Sequence, residues 1–368
     1  MTRPGKVAVF GMMITFLLGT VWNQMNSSGN FFASYQLPPT FEIHAQPSSG
    51  GSSNSAIAAT DSSSNTATSS SLTMDDIHNY ILGPDDYGRP VDQYGHPRAR
   101  KDCPQWYSIA AIQQSAAIQD PVLLAEYAQR LASARSKSQA KCDKQNSQVV
   151  TDSGGWCLNR QNRARAPKVT FRAENITYPM AINHVPASKR VVSELINLIQ
   201  TEHVTSMNDF GAGIAQYKAA VTNQIQDPNF SYRAYDGAGN GEEYTSGMMK
   251  YFDLTLPLDL PVADWVMSLE VGEHVPSKFE GMLIRNLHRH NRKGIILSWA
   301  IVGQDGHSHI NNHSNEYLIR VFEALGYTYD VEFSNRLRVP KDNYKWFENS
   351  LMVFRRNSST TPDSSSNV

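Results

Sequence analysis

From Ala187 onward the apolar positions switch between helical and strand spacing. Ser188 stands where an N-cap is needed, ahead of Val191, Val192, Leu195, Ile196 and Ile199, which share one helical face. A hydrophobic strand over 204–210 runs straight into Gly211-Ala-Gly213-Ile-Ala215 and a further helix. More strands are predicted over 230–235, 251–254, 263–269, 294–300 and 351–354. Within 263–269, Trp265-Val-Met267 is apolar on both faces, as a central parallel strand is. Helical stretches over 279–290 and 315–325 lie between the strands, and this alternation predicts a doubly wound α/β sheet. Upstream, Trp106, Ile109, Ile112 and Ala116 recur at helical spacing, and a second helix after Asp120-Pro121 carries Leu124, Tyr127 and Leu131. The region 101–186 is therefore expected to be a helical cap on a catalytic domain spanning 187–356.

The first hundred residues have a different pattern. The stretch 7–22 is long and apolar, with Arg3 and Lys6 ahead of it and no basic residue until Arg89. A cleaved signal peptide would need a small-x-small site, and Leu18-Gly19-Thr20 is a poor one, so the expected reading is an uncleaved signal anchor. That makes 1–6 a cytosolic tail and 23–100 a Ser/Thr-rich stem, and it predicts a single-pass type II membrane protein of the Golgi lumen, the alternative being secretion. The tail at 357–368 is polar and expected to be disordered. Charged residues make up 18% of the 368, below the roughly 25% of ordinary soluble chains, and the stem accounts for the dilution. Lys plus Arg number 33 against 34 Asp plus Glu, a balance that counts against a nucleic-acid partner. Five sequons begin at Asn26, Asn175, Asn229, Asn312 and Asn357. Cys103, Cys142 and Cys157 lack zinc-site spacing; one disulfide plus one further thiol is the simplest arithmetic, and Cys142 with Cys157 would close a short loop.

The chemistry concentrates at the predicted strand ends. The glycines after 204–210 let backbone approach a ligand, and a helix N-terminus follows with free N–H groups. Asp236 ends the next strand, where an acidic side chain accepts from ribose hydroxyls. In order and spacing, Asp209-Phe-Gly211-Ala-Gly213, Asp236, Asp253-Leu254 and Ser268-Leu-Glu270 resemble a class I S-adenosylmethionine-dependent methyltransferase over about 191–356. The resemblance implies a seven-stranded Rossmann-like sheet whose final strand is antiparallel. It also implies that Gly211 and Gly213 face the methionine portion of the cofactor, that Asp209 helps place its amino group, that Asp236 holds the ribose, and that Asp253 and Leu254 border the adenine. The third glycine of the family motif is Ala215 in this chain.

The next motif, Ser268-Leu-Glu270-Val-Gly-Glu273-His274, puts two carboxylates and an imidazole at i, i+3 and i+4, on one face if the segment is helical. Such a set can hold Mg²⁺ or Mn²⁺ with positions open for substrate oxygens. A polar loop from Gly303 to His313 contributes His307, His309 and His313 at the same edge. The pattern is similar to the metal-dependent O-methyltransferases of ubiquinone biosynthesis and of small-RNA ends. It implies Glu270, Glu273, His274 and His309 as metal ligands, with Glu273, His274, His307 and His309 catalytic and Glu270 also touching the cofactor. The expected activity is O-methylation of a small-molecule or glycan hydroxyl. The alternatives are a metal-free methyltransferase acting on a carboxyl, amine or small-molecule acceptor, and a non-catalytic binding protein on the same fold.

Overall fold

The computed structural model describes residues 108–144, 151–161, 166–225 and 227–357. Two helices come first, α1 (Ile109–Gln114) and α2 (Pro121–Lys144), as the upstream periodicity predicts. A hairpin of β1 (Lys168–Phe171) and β2 (Ile176–Pro179) follows, where the sequence reading extended the helical cap to 186. Its burial alternates along β1, with Val169 and Phe171 inward, and four residues are too few for that period to stand out in the sequence.

The main sheet has seven strands: β3 (Ser206–Phe210), β4 (Ser231–Asp236), β5 (Lys250–Tyr251), β6 (Ala263–Leu269), β7 (Asn291–Ser298), β8 (Tyr327–Tyr329) and β9 (Met352–Arg356). Their spatial order is β5-β4-β3-β6-β7-β9-β8. Every pairing is parallel except those of β9, which runs antiparallel to both β7 and β8. This is the seven-stranded Rossmann-like sheet of class I methyltransferases.

The sheet is buried on both faces. Val266 packs with α6 (Glu280–Arg289) and α7 (Asn315–Ala324), and Ile112 and Tyr127 of α1 and α2 join that cluster. Its neighbours Trp265 and Met267 point the other way, toward α3 (Lys189–Thr201), α4 (Gln216–Thr222) and α8 (Val331–Arg338). The hairpin packs on the start of α4 through Phe171, Tyr178, Ile214 and Ala219. Ser188 caps α3 as its sequence position predicts, its hydroxyl accepting from Val191 N at 3.3 Å. Two short helices, α5 (Gly241–Tyr244) and α9 (Phe347–Ser350), complete the frame.

Three local expectations change. The strand predicted over 251–254 stops at Tyr251, because Asp253 turns the chain by accepting from both Thr255 N (2.9 Å) and Thr255 Oγ1 (2.6 Å). The three-residue strand β8 has no counterpart in the sequence reading. Glu270 to His274 is not an α-helix: Glu270 adopts φ +56°, and only Gly272–His274 forms a single 3₁₀ turn.

The segment 7–22 and the stem lie outside the described residues, as does 358–368. Among the described residues no helix is long and apolar enough to cross a membrane. The longest, α2, has 24 residues but carries Glu126, Arg130, Arg135, Lys137, Lys141 and Asp143. The expected signal anchor, membrane partner and type II topology are corrected on that ground, since no described helix supports them, and nothing supports the expected Golgi or secreted location.

Candidate functional site

Chain order reverses between β3 and β6, and the crevice at such a point is where open α/β sheets bind ligands. A cavity of about 460 Å³ opens there. Its first half is backbone. After β3 the chain folds back on β4, with Gly211 N and Ala212 N both donating to Tyr235 O at 2.8 and 2.9 Å. Gly211 has φ +80°, and a Cβ on it would lie 2.2 Å from Val271 Cγ2, so no other residue fits. Gly213 N then donates to Asp236 Oδ2 (2.8 Å) while Ala238 N donates to Oδ1 (2.8 Å). These two bonds fix the Asp236 carboxylate on the cavity wall. Burial pushes its carboxyl up to about 6 against the opposing pull of those N–H groups.

Asp253 and Leu254 also line the cavity. Asp209 does not. It lies behind the wall, accepting from Tyr232 Oη at 2.9 Å, and burial pushes its carboxyl up to about 7. Ala215 takes a left-handed conformation, φ +56°, at the residue preceding α4, which is the backbone state the missing glycine would supply.

The second half of the cavity is built by the ends of β6 and β7. Glu270, His274 and His309 line it, and Glu273 is fully buried beside them. Glu273, His274 and His309 each offer a ligand atom, and these atoms lie within 4.8 Å of one another. Both imidazoles are oriented by carbonyls: His274 Nδ1 stands 3.3 Å from Ser308 O and His309 Nδ1 3.1 Å from Gln304 O. With Nδ1–H donating, each Nε2 keeps its lone pair, the arrangement that metal-bound histidines use. Burial and the neighbouring His309 hold His274 down at about 3, so it is neutral. Glu273 is fully buried with no cationic side chain paired to it among the described residues, His274 Nε2 standing 4.0 Å from its Oε1. Burial and the adjacent Glu270 charge hold it well above the ordinary carboxylate range. A buried carboxylate without a compensating positive charge is costly as an anion, so these residues fit a divalent cation.

Glu270 lies beside that group, its carboxyl adjoining Glu273 while its oxygens also face Gln304 Nε2 (3.4 Å) and Ser350 Oγ (3.3 Å). Its left-handed turn breaks the helical face that the spacing assumed, and the three ligand atoms that lie within 4.8 Å of one another belong to Glu273, His274 and His309. His307 packs edge-on to Trp156 with ring centroids 5.0 Å apart. His313 sits deeper, its Nε2 2.6 Å from Glu280 Oε2.

Several cavity residues carry no sequence signal. Trp156, His184 and Trp346 lie in irregular segments where no periodicity points to a face. His184 lies over Gly213, where an added Cβ would come within 2.9 Å of its Nε2.

No family model matches the sequence, and no curated protein matches it. Solved structures do. The magnesium protoporphyrin IX methyltransferase ChlM of Synechocystis PCC 6803, with bound SAH, aligns at 13% identity over 46% of this chain and 83% of its own, with a TM-score of 0.33. CalS10, an amino pentose methyltransferase from Micromonospora echinaspora, aligns at 10% identity over 45% of this chain and 90% of its own, TM-score 0.35. An O-methyltransferase family protein from Burkholderia thailandensis aligns at 13% identity over 46% of this chain and 56% of its own, TM-score 0.34. The narrower expectation, a membrane-anchored protein with the Glu-x-x-Glu-His motif of the ubiquinone-biosynthesis and small-RNA O-methyltransferases, is corrected: no family model and no curated protein matches to support it. What stands is the fold, a class I methyltransferase-like Rossmann fold, and it rests on the strand order and the antiparallel β9.

Proposed function

We propose that the chain is an S-adenosylmethionine-dependent methyltransferase that methylates a hydroxyl oxygen with the help of a divalent cation. One observation carries this reading. The Asp236–Gly213 cradle lines the same cavity as His274 and His309, and Glu273 is buried next to those two imidazoles. The cofactor's ribose hydroxyls would donate to Asp236, whose remaining lone pairs face the cavity. Its methionine end would lie against the Gly211–Gly213 turn. Glu273, His274 and His309 would hold Mg²⁺ or Mn²⁺, and the cation, once bound, lowers the pKa of a hydroxyl that coordinates it. A hydroxyl needs that help, since it is a poor nucleophile until its proton leaves. Glu270, tethered by Ser350 and Gln304, lines the same cavity.

The test is binding, followed by turnover. S-adenosylhomocysteine should bind the intact chain in calorimetry, and Asp236→Ala should weaken it by about tenfold or more, the loss expected for a charge-assisted hydrogen bond. With labelled cofactor and a panel of sugar and vicinal-diol acceptors, methyl transfer should vanish on exhaustive chelation and return with Mn²⁺. Glu273→Gln should abolish transfer while leaving S-adenosylhomocysteine affinity unchanged. Activity that survives chelation would favour the metal-free chemistry, on a carboxyl or amine. Absence of any cofactor binding would refute the enzymatic reading altogether.

A further inference from the structure

We propose that the segment 151–157, tied to α2 by the Cys142–Cys157 disulfide, is part of the catalytic site. In this proposal Trp156, at its end, is a positioning residue that holds the His274 imidazole toward Glu273 and His309. The proposal rests on the reading of those three residues as a cation site.

The disulfide joins the last turn of α2 to a segment 15 residues further along. That segment leaves the cap and enters the cavity, where Gly154, Gly155 and Trp156 all form part of the wall. It is a tight structure of its own. Thr151 N donates to Gly155 O (2.6 Å), and Gly155 N donates to Thr151 Oγ1 (2.9 Å). It is also wedged between two strand ends. A Cβ on Gly154 would lie 2.4 Å from His274 O, beyond β6, and one on Gly155 would lie 2.6 Å from Gly237 O, beyond β4. Backbone therefore presses on both halves of the site at once.

Trp156 is the side chain this wedge delivers. Its indole meets the His274 ring edge-on, centroids 4.9 Å apart and planes at 69°. His309 packs on the same imidazole at 5.1 Å and 70°. With Ser308 O at Nδ1, the His274 ring is held by two rings and a carbonyl, and its Nε2 points to Glu273 Oε1 at 4.0 Å. The indole is in turn fixed from its C-terminal side. Cys157 is buried in the disulfide, and Leu158 exchanges two hydrogen bonds with Asn240, at 2.9 and 2.8 Å. Without the indole, the imidazole is free to rotate into the cavity and the preformed three-ligand geometry is lost.

Mn²⁺ binding to the intact chain, followed by electron paramagnetic resonance, tests this beside S-adenosylhomocysteine binding by calorimetry. Trp156→Ala should weaken Mn²⁺ by about tenfold or more, the size seen when groups that orient metal ligands are removed, with S-adenosylhomocysteine affinity within about threefold of wild type. Trp156→Phe, which keeps an edge-on ring, should restore most of the loss. The paired change Cys142→Ser with Cys157→Ser should weaken Mn²⁺ as Trp156→Ala does. Wild-type Mn²⁺ affinity in Trp156→Ala or in the paired serine variant would overturn the proposal. So would a parallel loss of S-adenosylhomocysteine binding, which would mean collapse of the site, or a failure of Trp156→Phe to rescue. If the wild-type chain binds S-adenosylhomocysteine but not Mn²⁺, the cation reading itself is wrong, a result distinct from all of these.

Discussion

Asp209 and Asp236 close neighbouring parallel strands, yet only the second faces the cavity. Asp209 is turned into the molecule against Tyr232, and burial holds its carboxyl near 7, above its ordinary 3.8. Between these values the native state binds more protons than the unfolded chain. The stability this site contributes is thus fully present below about pH 4 and lost as pH rises through 7. Asp209→Asn should remove that component. Its unfolding free energy should fall less than wild type's between pH 5 and 8, by up to about 2.7 kcal/mol at 1.36 kcal/mol per pH unit, as read by urea denaturation at the two pH values. Asp236, held at about 6 by burial, contributes with the same sign in both proteins. The glycines and Asp236 were legible in the sequence because they encode backbone conformation and a strand end. The direction of Asp209 was not, since a strand buried on every side gives no alternation from which to read a face.

At the scale of elements, α6 and the histidine loop are joined by a buried cluster. Glu280, in the first turn of α6, accepts from Tyr317 Oη at 2.6 Å and from Asn311 Nδ2 at 3.1 Å, and pairs with His313. Burial alone would raise its carboxyl, but His313 and these hydrogen bonds bring it below the ordinary range. Two residues of the same loop, Ile310 and Asn311, donate their N–H groups to Glu273 O at 2.8 and 3.0 Å. Glu280 thus anchors the far end of the loop that carries His309. Glu280→Ala should destabilise the chain by about 3–5 kcal/mol, because it removes the carboxylate that a buried cluster is built around, and denaturant unfolding would measure it. Helices α6 and α7 were readable within one or two residues, since ten positions show a helical period clearly. The turn at Glu270 was not. Its left-handed φ belongs to a residue that sequence logic places in a helix, and it is tertiary contact with Ser298, donated to by Glu270 N at 2.8 Å, that holds it.

Among the described residues, the Cys142–Cys157 disulfide ties α2 to the segment that carries Trp156 into the cavity wall. Opening a loop of this length should cost about 3 kcal/mol of stability, so reduced and oxidised protein should differ by that much in denaturant. The sequence reading proposed this pairing without being able to see that the loop reaches the cavity, because nothing local marks a segment as buried against strands eighty or more residues away. The position of β9 has a consequence in time. The last strand in chain order pairs between β7 and β8, so until it is synthesised β7 presents an open edge and β8 has no neighbour. Trp346, Phe347 and Ser350, which wall or brace the cavity, emerge just ahead of it. A ribosome that stalls near residue 345 releases a chain with every glycine and acid of the cofactor cradle but an unpaired strand edge, a form prone to aggregate. The cavity wall contributed by Trp346 and Phe347, and the closed sheet behind it, are therefore completed only in finished molecules.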